Sequence, residues 1–140
     1  MKYLIDTNVI SEFRKNQRAN ANVLRWIKAT LPEEHYTSVL VIGEIRHGIE
    51  LMRRRDAPQA QAMEHWMDGM IAKYAGRILP VDQRIADAWG RLGVPDPVPD
   101  IDGILAATAL VHDLTLVSRD NALLSMRELR SINPFELHRG

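Results

Sequence analysis

The chain opens with Met1-Lys2-Tyr3-Leu4-Ile5-Asp6-Thr7-Asn8-Val9-Ile10, a short apolar run that ends on a carboxylate before a new apolar pattern begins. This reads as a buried β-strand that hands over to a helix, with Asp6 delivered at the strand's C-terminal edge. An Asp in that position carries a large desolvation cost unless a neighbour compensates it. In open α/β sheets, ligands and metals gather outside the carboxyl ends of the strands. The opening segment therefore commits the chain to a sheet and poses one question: whether other carboxylates arrive at the same edge.

Strand-like and helix-like segments alternate along the rest of the sequence. Residues 2–6 predict the first strand and about 8–14 a short helix. A second helix over about 21–30 places Val23, Trp26 and Ile27 at helical spacing, and Pro32 closes it. His35-Tyr36-Thr37-Ser38 predicts a strand. Residues 39–54 predict a helix with Leu40, Val41, Ile45, Ile49 and Met52 apolar. The helix at about 57–75 carries a stripe of Met63, Trp66, Met67, Met70, Ile71 and Tyr74. Arg77 to Val81 is strand-like, and Asp82 is placed to cap a helix bearing Ile85, Trp89 and Leu92. After a Pro-rich loop from Gly93 to Pro99, the segment Asp102 to Val111 is apolar on nearly every face, which predicts a buried helix. Thr115 to Ser118 predicts another strand, followed by Arg119-Asp120-Asn121 and a short helix. The alternation predicts one α/β domain over residues 1–140, with a central parallel sheet of about four to five strands flanked by helices.

Composition narrows the function. Eighteen basic residues balance eighteen acidic ones, so no global field draws the chain to nucleic acid. Any such binding must use a local basic patch or a metal. There are no cysteines, which excludes disulfides and thiolate metal sites and fits a reducing compartment. The apolar start is too short for a signal peptide, and no run approaches the ~20 residues of a membrane-spanning helix. The expectation is a cytoplasmic protein.

Acidic residues recur at element junctions. Asp6 ends the first strand, Glu44 lies in the first turns of its helix, Asp102 opens the buried helix, and Asp120 follows the last predicted strand. Each has an ordinary structural explanation. Asp102 and Asp120 suit helix caps, and Glu44 suits a solvated helix face, although Leu40, Val41, Ile42 and Ile45 surround it in sequence. Taken jointly they point elsewhere. In a parallel sheet Asp6 and Asp120 emerge on one edge, and the starts of the following helices face it. Converging carboxylates repel one another until some protonate or a cation joins them. Oxygen ligands without Cys or His select hard cations, Mg²⁺ or Mn²⁺, which suit phosphodiester hydrolysis.

Other catalytic patterns are missing. There is no Gly-rich phosphate loop, nucleophile elbow or His-Glu-x-x-His helix, and the five histidines are scattered, with His47 and His65 expected on helix surfaces. A haloacid-dehalogenase-type phosphatase needs a second Asp where Asn8 stands. A receiver domain needs a late Lys, and none follows Lys73.

Five ordered segments resemble PIN-domain ribonucleases, specifically VapC-type toxins of bacterial toxin–antitoxin pairs. They are Tyr3 to Glu12, Ser38 to Ile49, Asp102 to Ala109, Leu116 to Asp120 and Ile132 to Glu136. The resemblance implies a PIN-like three-layer fold with Asp6, Glu44, Asp102 and Asp120 as catalytic and metal-binding acids. Asn8 and Ser38 match polar positions that orient those acids or the bound water. The last acidic motif departs from the commonest pattern: Asp120 stands where Asn is usual, and Leu123 stands where a later Asp would be. The implied chemistry is Mg²⁺-assisted in-line attack of water on RNA, tRNA or rRNA, leaving a 5′-phosphate and a 3′-hydroxyl. No His or Lys stands out as general acid.

The resemblance also implies a cognate antitoxin and a homodimer. The Met-rich stripe offers either a groove for the antitoxin or a core-facing surface, and Arg53-Arg54-Arg55 either RNA contacts or a solvated helix end. A metal-free PIN-like module that binds RNA or antitoxin without catalysis is the alternative reading.

Overall fold

The computed structural model describes residues 1–136; residues 137–140, which include His138 and the end of the predicted domain, lie outside the described part. Five strands form one sheet in the order β3-β2-β1-β4-β5. They are β1 (Tyr3–Ile5), β2 (His35–Ser38), β3 (Ile78–Leu79), β4 (Thr115–Val117) and β5 (Ser131–Ile132). Every pairing is parallel: Leu4 lies opposite Tyr36 on one side and Leu116 on the other, Ser38 opposite Leu79, and Val117 opposite Ile132. The helices are α1 (Thr7–Phe13), α2 (Ala21–Ala29), α3 (Val39–Arg53), α4 (Ala57–Lys73), α5 (Gln83–Arg91), α6 (Asp100–Val111) and α7 (Asn121–Leu124).

The α/β prediction is borne out, with two refinements. The strand-like segment at 77–81 contracts to Ile78–Leu79, and the two-residue β5 gave no sequence signal of its own. Strand order explains where a site can form. From β1 the chain steps outward through β2 to β3, then returns across the sheet to β4 and continues to β5. The direction of winding thus reverses beside β1, and right-handed crossovers send the later helices to the other face. A crevice opens between the C-terminal ends of β1 and β4, where such a switch point places ligands.

Burial holds this edge rigid. Leu4, Ile5, Leu116 and Val117 are fully buried in the two central strands, and Val9 and Ile10 of α1, Val41 and Ile49 of α3, and Ala106 and Ala109 of α6 are buried around them. The small residues of α6 let that helix approach closely, as its nearly all-round apolar sequence predicts. Strand ends are tied by bonds beyond the ladder: the Asp6 N–H donates to the Val117 carbonyl at 3.0 Å, and the Thr37 hydroxyl to the Ile5 carbonyl at 3.0 Å.

Helix starts follow the caps expected from their side chains. Asn20, Ser38, Asp56, Asp82 and Asp120 each accept a backbone N–H of the helix that follows. Asp102 does not. α6 begins two residues earlier at Asp100, with Pro99 in the cap position, so Asp102 sits within the first turn and its carboxyl is released from capping.

The Met-rich stripe faces inward. Met67 and Met70 are buried, and Met63, Trp66 and Ile71 pack against the core. It is core, not a partner groove. Of the three arginines after α3's last apolar residue, Arg53 is paired with Glu50 and Glu64.

Two positions give measurable expectations. A Cβ on Gly103 would lie 2.9 Å from Cδ1 of Trp89, where α5 meets α6. Gly103→Ala should therefore destabilise the fold by about 1–3 kcal/mol through overpacking, read by urea denaturation. Among the described residues, the buried Thr115 hydroxyl has no hydrogen-bond partner. Thr115→Val should raise stability by about 1 kcal/mol in the same assay, because it removes an unsatisfied polar group.

Candidate active site

Asp6 is buried at the end of β1, and three groups satisfy its carboxylate. The Thr7 backbone N–H donates to Oδ1 at 2.7 Å, the Ser118 hydroxyl to Oδ2 at 2.7 Å, and the Asn8 amide to Oδ2 at 3.3 Å. These bonds compensate the desolvation that made Asp6 improbable as a bland residue.

Ser118, the residue after β4, also links Asp6 to Asp120. Its hydroxyl oxygen accepts the Asp120 backbone N–H at 3.0 Å and the Asn8 amide at 3.2 Å. Asn8 turns its carbonyl oxygen to the Arg119 N–H at 3.3 Å. The two strand ends of the crevice are thereby stitched into one polar network. Asp120 keeps a structural task as well, since its Oδ1 accepts the Ala122 N–H at the start of α7.

Glu44 reaches the network from α3. Its Oε1 accepts the Thr7 hydroxyl at 2.7 Å, which ties the exposed helix residue to the first turn of α1. Ser38 acts at one remove: its buried hydroxyl accepts the Leu40 N–H at 3.1 Å and starts α3, the helix that carries Glu44. Among the described residues it makes no hydrogen bond to a carboxylate. Of the described histidines, His35 is buried against Trp26, and His47, His65 and His112 are exposed.

The PIN domain family model matches residues 3–129. The chain belongs to the PIN-domain family. The plasmid stability protein StbB of Pseudomonas syringae pv. tomato is 33% identical over 141 residues, covering 95% of this chain and 98% of that protein. The VapC ribonuclease Y4jK of Sinorhizobium fredii is 32% identical, covering 95% and 97% respectively. The toxin FitB of Neisseria gonorrhoeae is 30% identical, covering 94% and 97%. The crystal structure of FitAcB from that organism matches the fold with a TM-score of 0.85 at 28% identity, covering 96% of this chain and 99% of the solved one.

Two of the four acids of this PIN domain, Asp6 and Asp102, have raised carboxyl pKa values. Burial pushes the Asp6 carboxyl above its ordinary value, opposed by the Ser118 and Thr7 bonds and reinforced by the charges of Glu44 and Asp120. Asp102 is pushed up to about 6, first by burial and then by the charges of Asp120, Asp6 and Glu44, with a hydrogen bond to Asp120 favouring its protonated form. Yet among the described residues no three His, Cys, Asp or Glu side chains are gathered into a ready-made cage. The donors are all oxygen and carry uncompensated negative charge, which fits a hard divalent ion and not a soft one.

The sequence reading missed Thr7 and Ser118. Each is a small hydroxyl next to or two residues from an assigned acid, and the only signal was that adjacency.

Burial of Asp102, reinforced by its acidic neighbours, has a pH signature. Its folded value of about 6 lies above the ordinary 3.8, so the carboxyl favours folding fully below about pH 4, and that contribution is lost as pH rises through 6. In metal-free buffer, Asp102→Asn should therefore melt above the wild type at pH 8. The gap should shrink towards pH 5 in calorimetric scans.

Proposed function

We propose that this PIN domain is an Mg²⁺-dependent endoribonuclease toxin that cleaves RNA phosphodiester bonds and is restrained by a cognate antitoxin. The observation that carries the reading is the approach of four carboxylates from four separate segments at the sheet's switch point, where burial first and then the neighbouring charges raise the pKa of Asp6 and Asp102. A hydrophobic or purely structural role would bury this charge at a cost with nothing gained. The reading is supported by relatives named as a VapC ribonuclease and as a toxin.

Asp6, Glu44, Asp102 and Asp120 would hold Mg²⁺, with Mn²⁺ the nearest substitute by ligand preference. When bound, such an ion neutralises charge on the phosphate under attack and acidifies water. The chain's own residues do the positioning. Ser118 and Asn8 fix Oδ2 of Asp6, the Thr7 N–H fixes Oδ1, and the Thr7 hydroxyl holds Glu44 to the same turn. With those atoms bonded, the carboxylates enter the reaction already oriented, which reduces the ordering required at the moment of cleavage. An antitoxin suited to this surface would present an Arg or Lys to the acids, as charge complementarity requires.

Asp6→Asn and Asp102→Asn should each keep the far-ultraviolet dichroism of the wild type and lose Mg²⁺-dependent RNA cleavage by at least about a hundredfold. EDTA should abolish wild-type cleavage, and Mg²⁺ should restore it. Sequencing of newly formed RNA 5′ ends after induction, with Asp6→Asn as control, would report the cut sites. Full activity in either purified variant would overturn the assignment. No cleavage by the wild type, with no Mg²⁺-dependent rise in melting temperature, is the outcome expected of a metal-free binding module.

A further inference from the structure

Four carboxylates outweigh the charge of one divalent ion, so a protein cation beside them would favour the phosphates of an RNA substrate. The segments that build the crevice, residues 6–8, 38–44, 100–103 and 118–121, contain a single Lys or Arg between them: Arg119. Its backbone is part of the acid network, through the N–H that donates to Asn8, and it lies between Ser118 and Asp120. Its side chain is exposed and makes no direct ion pair among the described residues, although its charge helps keep Glu12 ionised.

Several other cations are committed elsewhere. Arg46 and Arg53 pair with Glu64, Lys15 with Glu12, Arg91 with Asp87 and Arg130 with Asp113, while Arg77 is spent on the carbonyls of Pro32, His35 and Lys73. Arg119 is instead laid over the Phe135 ring, 4.7 Å from its centroid. Phe135 is itself fixed, because its carbonyl accepts the Asn22 amide at 2.8 Å and its N–H donates to the Asn133 side chain at 3.0 Å. A cation–π contact to an aromatic ring consumes none of the guanidinium N–H donors, which can still bond phosphate oxygens.

We propose that Arg119, preset on the Phe135 ring, is the residue that holds the RNA backbone beside the acid crevice. The proposal rests on the ribonuclease reading above and adds the substrate-positioning group to it. Arg119 acts on binding, and the acids act on cleavage.

The test measures binding without turnover. In the Asp102→Asn chain with Mg²⁺ present, a fluorescein-labelled single-stranded RNA 20-mer is titrated and read by anisotropy across a salt series. Phosphate contacts are sequence-independent, so a mixed-sequence probe serves. Adding Arg119→Ala should weaken binding about tenfold and lower the slope of log K against log salt by about 0.7, the value for one lost contact to a single strand. Arg119→Lys should recover the slope but only part of the affinity, since it keeps charge and loses the planar fork. Phe135→Leu should weaken binding less than Arg119→Ala and leave the slope unchanged. Melting curves check that each variant is folded, and Arg119→Gln replaces Arg119→Ala if the latter is not.

Unchanged affinity and slope in Arg119→Ala would overturn the proposal, as would full rescue of affinity by Lys. The ribonuclease reading is judged separately, by cleavage with the otherwise wild-type chain. If that chain cuts RNA while Arg119→Ala binds normally, the proposal fails and the reading stands.

Discussion

Everything at the functional edge of this molecule depends on how Asp6 is kept buried. A carboxylate at the end of a fully buried strand is tolerated because the Thr7 N–H, the Ser118 hydroxyl and the Asn8 amide all converge on it. Two of those donors lie within two residues of Asp6, and the third comes from the neighbouring strand end. Satisfying one buried charge therefore also fixes the register of β1 against β4. The same Ser118 oxygen then receives the Asp120 N–H, so the second acid is placed by the compensation of the first.

The remaining acids are placed by packing. Glu44 is carried by α3, whose start is set by Ser38 and whose inner face is buried through Val41, Ile45 and Ile49. Asp102 is carried by α6, which approaches the sheet on alanines and meets Trp89 closely at Gly103. These contacts hold the four carboxyls close enough to disfavour their joint ionisation. Under the proposed nuclease reading, a bound divalent ion would relieve that repulsion, so the same acids that disfavour the fold would serve its function.

Much of this was legible in the residues. Alternating periodicity marked the strands and helices, and junction positions marked Asp6, Glu44, Asp102 and Asp120, because apolar runs end where chains turn at a sheet edge. Other features could not be read that way. β5 is two residues long and exists through its bonds to β4. The start of α6 moved from Asp102 to Asp100 because Pro99 supplies the extended residue before the helix. The Met-rich stripe has the same pattern whether it meets a partner or a core, and only burial decides. Thr7 and Ser118 are ordinary hydroxyls until folding sets them 2.7 Å from carboxylates.

By itself the sequence determined the fold class and the family resemblance and singled out four candidate acids, since periodicity and junction chemistry are local properties. Only the tertiary structure decided that those acids share one crevice, that Ser118 and Thr7 bond to Asp6 and Glu44, and that Arg119 lies over Phe135 beside them. These are contacts between residues as much as 112 positions apart, the span between Asp6 and Ser118. The strand order that brings them together is fixed by burying the whole sheet, and no single segment encodes it.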